Sequence, residues 1–252
     1  TAYLASLGAT TNARRAAYQK LLGNNPDGSD NPAWETFLDV DNYIDYLIVN
    51  WYGGNSDWPS HNYYLGRRRG PDSNGFVFFM WDAEWTLFMR SNINTNRLSA
   101  VQGSEDFKLR FADRVQKAFF EPGGAFYVDP ANPQWDPLHP ERNVPAALYA
   151  AITDDLALPL IAESARWGDQ HRTNDPYTVE DEWRTELNHV LNDWFPYRST
   201  VMINQFRAAG LYPTFNAPAY LINGAAQHGG VITTADTITF TAPAGTNIYT
   251  LD

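Results

Sequence analysis

The sequence predicts a mainly helical α+β fold with one small β-hairpin, followed by an incomplete β-rich segment at its C-terminal end. Three patterns point to it. Apolar residues recur at helical spacing through long stretches before Pro213. Two short apolar runs, 61–66 and 75–81, enclose a turn-forming Gly-Pro-Asp-Ser-Asn-Gly stretch, as a hairpin requires. Beyond Pro213 the helical period gives way to β-branched runs divided by Gly, Pro and Asp. That change of character sets expected domains at 1–215 and 216–252.

Each element has its own local signal. Residues 11–22 are rich in Ala and Arg with apolar positions at helical spacing, and Gly23 stops them. The stretch 24–32 (NNPDGSDNP) is nearly all turn formers and belongs in a surface loop. A helix is expected over 41–51, capped by Asp39 or Asp41, with Tyr43, Ile44, Leu47, Ile48 and Trp51 as its apolar stripe. Gly53 and Gly54 end it. After the hairpin, helices are expected over 104–120, 145–167 and 179–210, the last broken at Pro196. A Pro-, Gly- and Asp-rich loop over 121–141 separates the first two. Strands are expected over 231–234 and 237–241, and 248–252 reads as a strand cut short. The chain opens at Thr1 and reads as an excerpt of a longer protein.

Composition narrows the function. Asp plus Glu number 29 against 18 Lys plus Arg, a formal net charge of −11. An acidic surface of that size repels phosphate backbones, so nucleic-acid partners are disfavoured. The absence of Cys removes disulfides, thiolate metal sites and Cys nucleophiles together. No apolar run reaches the roughly eighteen residues of a membrane span, so none is expected. Nine Trp and fourteen Tyr require a packed core.

The chemistry concentrates in the segment 55–88. Asp57 lies in a loop after a helix, Asn62 follows five residues later, and Asp82 closes the second hairpin strand, which returns it towards that loop. A carboxylate to take a proton from a hydroxyl, and an amide oxygen with a second carboxylate to hold Mg²⁺, are the equipment of phosphoryl transfer. Asp-x-x-x-x-Asn, then a hairpin, then Asp is also the order of a protein-kinase catalytic loop and metal-binding Asp. Taken alone, the spacing equally suits two side chains that merely cap turns.

Other constellations are weaker. Asp82 with Glu84 is a conceivable glycosidase pair, but carboxylates two apart on one strand sit too close and too parallel to flank a scissile bond. Asp27-Gly28-Ser29-Asp30 and Asp39-x-Asp41 lack the continuation of a Ca²⁺ loop and are expected to form turns and caps. Arg67-Arg68-Arg69 is the solvated end of a hairpin strand, with an acidic or phosphorylated partner as the alternative.

The whole pattern resembles the CotH (spore-coat protein H) kinase family. It is carried by Asp41-Asn42-Tyr43-Ile44-Asp45-Tyr46, then Asp57-Trp58, His61-Asn62-Tyr63-Tyr64-Leu65 and Trp81-Asp82-Ala83-Glu84, with Arg166-Trp167 and Trp194-x-x-x-Arg198 resembling the closing helices. The resemblance covers roughly residues 35–212. It implies an atypical protein-kinase-like C-lobe whose other lobe lies before Thr1, in a secreted or cell-surface protein. It further implies ATP as co-substrate, Mg²⁺ or Mn²⁺ as metal, and transfer to Ser or Thr of a protein partner. Asp57 is then the catalytic Asp, Asn62 and Asp82 are metal ligands, and Glu84 stands as a third ligand where the family has Asp. His61, beside Asn62, falls on the cofactor side as an orienting group. The alternative is a degenerate kinase-like fold kept as a structural or adhesion module.

Overall fold

The computed structural model describes residues 11–58, 61–70, 72–88, 93, 101, 103–226 and 232–241. It is an α+β chain, 47% helical, with a small antiparallel hairpin. The first helix, α1, spans Thr11–Leu21, and α2 spans Val40–Gly53. Asp39 is the N-cap of α2, its carboxylate accepting from the Asn42 N–H at 3.0 Å. Gly54 closes the helix at φ +64°, in the left-handed conformation that a Cβ disfavours.

Helix α2 is the axis of the core. Ile44, Leu47, Ile48 and Trp51 are buried along one stripe. Against them pack Phe107, Phe111 and Val115 of α3 (Glu105–Val115), and Met202 and Phe206 of α6 (Phe195–Ala208). The side of α2 facing α3 carries two parallel ion pairs. Arg110 grips Asp41 through two bonds of 2.6 and 3.1 Å, and one turn on Arg114 grips Asp45 with its Nε at 2.9 Å. Acids four apart on one helix and arginines four apart on the other lock the register. The Arg110 guanidinium hydrogen-bonded to Asp41 holds that carboxyl below the usual carboxylate range.

The hairpin consists of β1 (Tyr63–Arg67) and β2 (Phe76–Met80), paired from Tyr63↔Met80 to Arg67↔Phe76. It docks on α2 through side chains that imitate a neighbouring strand. Asn42 accepts from the Phe78 N–H at 2.6 Å and donates to the Phe78 carbonyl at 3.1 Å. Phe76 bonds the chain just before α2, donating to Phe37 at 2.9 Å and accepting from Asp39 at 3.1 Å. Gly75 permits this approach, since a Cβ there would sit 2.5 Å from the Leu38 nitrogen.

Helix α3 runs into a π-helical turn, Gln116–Phe120, that buries Phe119. Helix α4 spans Val144–Trp167, capped by Asn143. By length and hydropathy it is able to cross a membrane, and 17% of its most apolar window is buried, but length and composition alone are weak evidence for a span. No membrane span is needed to account for it. Asp154 and Asp155 at its middle break the apolar run, and an Asp at a bilayer centre costs about 3 kcal/mol.

The region from 179 corrects two expectations. The path is helical throughout: a π turn at Val179–Trp183, α5 at Arg184–His189, a second π turn at Val190–Trp194, then α6. Pro196 breaks nothing, because it occupies the first turn of α6, where a missing N–H goes unused. Beyond it, β3 (Ala219–Ile222), β4 (Ala225–Ala226) and β5 (Ile238–Thr241) form an antiparallel sheet in the order β4-β3-β5. Strand β5 matches its expected place, but the expected strand at 231–234 is irregular at 232–233 and enters a turn at Thr234. Asp236 accepts from the Thr233 N–H and hydroxyl at 2.7 and 2.9 Å and curls the chain. The sheet instead uses β3 and β4, joined at Asn223 and Gly224 with φ +53° and +82°, the pair of positive angles a tight hairpin turn needs. Residues 248–252 and Val231 lie outside the described residues.

Candidate functional site

The site forms where α2 ends. Asn55, buried, closes the turn that presents Asp57, its side-chain oxygen accepting from the Asp57 and Trp58 N–H groups at 3.2 and 3.3 Å. Its amide nitrogen donates to Asn50 Oδ1 at 3.0 Å, and Asn50 in turn donates to the Tyr46 carbonyl at 2.9 Å. A chain of three buried amides and carbonyls therefore ties the loop to the helix. Trp58 is anchored beside it, its indole N–H on the Tyr46 hydroxyl at 2.7 Å.

Two backbone bonds bring the far side of the hairpin to the same place. Leu87 donates to the Gly53 carbonyl at 2.7 Å, and Ser56 donates to the Trp85 carbonyl at 3.3 Å. Residues 83–88 thus run beside the loop that carries Asp57. The backbone departs from common conformations here: Asn62, Asp82 and Leu87 have φ of +56°, +51° and +68°. Asn and Asp tolerate that region, but Leu does not, at a cost of about 1–2 kcal/mol. Such strain gathers where geometry is imposed for function.

The side chains meet as follows. Asn62 donates to Asp57 Oδ2 at 2.5 Å, which leaves the Asn62 carbonyl oxygen facing away from that carboxylate. Asp82 and Glu84 are both exposed and close enough to influence each other electrostatically. Glu84's own backbone N–H lowers its pKa, but the neighbouring Asp82 side chain, with slight desolvation and the charges of Asp82 and Asp57, outweighs this and raises it. Asp57, Asp82 and Glu84 therefore lie within electrostatic reach of one another, with Asn62 bonded to the first. One detail of the sequence reading is corrected. Positions 82 and 84 do not share a strand face, because β2 ends at Met80 and Asp82 turns left-handed. The two carboxyls converge through that turn instead. His61 is exposed and makes no hydrogen bond to any described residue.

The donor set suits a hard divalent cation. Two neighbouring carboxylates attract a metal, and the Asn62 amide, bonded to Asp57, adds a neutral oxygen. Among the described residues no three His, Asp or Glu side chains could by themselves hold one ion. Mg²⁺ itself takes only one or two protein carboxylates and keeps several waters. Elsewhere, the acidic turns behave as capping groups. Asp27 accepts from the Ser29 N–H and hydroxyl at 3.0 and 2.7 Å.

Three positioning residues escaped the sequence reading. Asn42 and Asn50 hold the hairpin and loop on α2, and Asn55 shapes the turn itself. Their signal was visible: Asn at 42 and 50 inside a helix is a poor helix former with no apparent local use.

Residues 15–119 match a family model described as CotH kinase protein. The match takes in α1, α2, the hairpin, α3 and every residue of the acidic centre. No curated protein and no solved structure matches the chain.

Proposed function

We propose, from a chain that is CotH kinase-like over residues 15–119, that the acidic centre carries ATP- and Mg²⁺-dependent phosphoryl transfer to Ser or Thr of a protein partner. The observation that carries this reading is the Asn62–Asp57 hydrogen bond beside the Asp82–Glu84 pair. Asp57, with Oδ2 engaged by Asn62, has Oδ1 left to accept the proton of an attacking hydroxyl. The Asn62 amide orients that carboxylate and offers its own oxygen to a metal. Asp82 and Glu84 supply the remaining charge, and Mn²⁺ fits the same donors. When bound there, Mg²⁺ offsets negative charge that develops on the phosphoryl oxygens. His61 borders the site as a nucleotide-side group. The protein acts outside the cell, secreted or at the cell surface, and the residues from 216 onward form a separate β-rich unit.

The test is transfer of radiolabelled γ-phosphate from ATP to a Ser-rich acceptor by the full-length protein, with Mg²⁺ or Mn²⁺. Asp82→Ala is expected to lower the rate by about two to three orders of magnitude, the scale of losing one preorganised charge-stabilising group. Its urea unfolding midpoint should fall only slightly, because Asp82 is exposed but Ala tolerates the left-handed backbone at 82 less well than Asp. Equal incorporation by both proteins removes the assignment. No incorporation by either leaves the fold as a structural or adhesion module.

A further inference from the structure

The hairpin has a second end, and its chemistry is the reverse of the first. A cavity of about 860 Å³ opens beside Arg67, Arg68 and Arg69, between the hairpin turn and the loop of Trp34 and Glu35. Four ladder steps separate Arg67↔Phe76 from Tyr63↔Met80, so at about 3.4 Å per residue the two ends lie ~14 Å apart.

Two of the three guanidinium groups, those of Arg68 and Arg69, are loosely held. Arg67 donates to Glu35 at 2.7 Å and to Ser73 at 3.0 Å, but the Glu35 side chain is 80% exposed. A carboxylate so placed exchanges readily with another anion. Arg68 approaches Asp72 only to 3.9 Å, with both side chains more than three-quarters exposed. Arg69 is exposed and has no ion pair or hydrogen bond with any described residue. Lys20 adds a fourth positive charge, 5.1 Å over the Trp34 ring. Trp34 and Phe76 give the cavity apolar walls.

We propose that this cavity binds an acidic polypeptide segment, with Arg68 and Arg69 seating its carboxylate or phosphoserine groups. Guanidinium forks match both anions through paired N–H bonds. The volume suits several residues of a chain rather than a single ion. A net charge of −11 argues against a long polyanion, whose flanks would meet repulsion beyond the basic patch. A short acidic segment keeps its charge within a Debye length, about 10 Å, of the arginines. Lying at the far end of the hairpin, the site stands apart from the phosphoryl-transfer reading and does not depend on it.

Fluorescence anisotropy tests it. A short labelled peptide of alternating Glu and Gly, the same peptide with phosphoserine replacing its central Glu residues, and labelled oligothymidylate of matched charge are titrated with the protein. Saturable binding of at least one peptide is expected, and the stronger of the two arms assigns the anion as carboxylate or phosphate. The Arg68→Ala/Arg69→Ala variant should bind about tenfold more weakly or worse, whereas Arg166→Ala/Arg184→Ala, which removes the same charge elsewhere, should bind as the wild type does. The proposal is overturned if neither peptide saturates, if oligothymidylate binds as tightly, or if the two double variants lose affinity equally.

Discussion

The Glu84 carboxyl is exposed, yet it holds its proton more tightly than an ordinary Glu: its own backbone N–H lowers the pKa, but the adjoining Asp82 side chain, slight desolvation and the charges of Asp82 and Asp57 together outweigh it. The folded state therefore binds more protons than the unfolded chain just above the usual Glu range. Stability falls as pH rises through that window, from the unfolded pKa to the raised folded one. Thermal melts from pH 4 to 7 should show this fall in the wild type and a flatter profile in Glu84→Gln. Added Mg²⁺ should restore the loss at pH 7 in the wild type alone; parallel profiles would sink the claim that the carboxyls interact. Asp57 and Asn62 were legible from their spacing, and Asp82 from its place after a hairpin. Their arrangement was not, because it depends on left-handed backbone at Asn62 and Asp82, which alternation along a strand cannot reveal.

Helix α2 holds the site through its last turn, and that turn depends on one buried cation. Arg198 of α6 is fully buried, donates its Nε to the Tyr52 carbonyl at 2.8 Å and an Nη2 to the Trp51 carbonyl, and lies 5.0 Å over the Trp194 ring. It satisfies the Tyr52 carbonyl and adds a second donor to the Trp51 carbonyl, which also accepts from the Gly54 N–H, at a helix C-terminus where a positive charge is favoured. Arg198→Met should cost about 1–3 kcal/mol in urea unfolding, the cost of stranding the buried Tyr52 carbonyl. Arg198→Lys should recover only part, because an ammonium lacks the fork. A loss below about 0.5 kcal/mol for the Met variant would mean that water replaces the guanidinium. The sequence offered Trp194-x-x-x-Arg198 as a motif without its role, which exists only once α6 lies against α2. Elements ruled by one local pattern were the readable ones, such as α2 with its Asp39 cap and Gly54 stop. Where two signals competed, the weaker-looking one prevailed. The Asn223-Gly224 turn built a hairpin, while the β-branched stretch before Asp236 was curled by side-chain hydrogen bonds.

At the scale of the molecule, a helical body grips a hairpin with an acidic end at Asp82 and a basic end at Arg67–Arg69. Asn42 and the Phe76 backbone fix the hairpin to α2, so the position of the acidic centre is set by the core rather than by its own exposed loops. The central claim is that Asn62, Asp82 and Glu84 hold one divalent cation beside Asp57, the proton acceptor. Titration of the protein with Mn²⁺, followed by the loss of the free-ion electron paramagnetic resonance signal, tests it without requiring nucleotide or turnover. One competitive site, displaced by Mg²⁺, is expected in the wild type, weakened about tenfold or more in Asp82→Asn and unchanged in the surface control Asp181→Asn. Equal Mn²⁺ binding by all three proteins, or none by the wild type, would contradict the account.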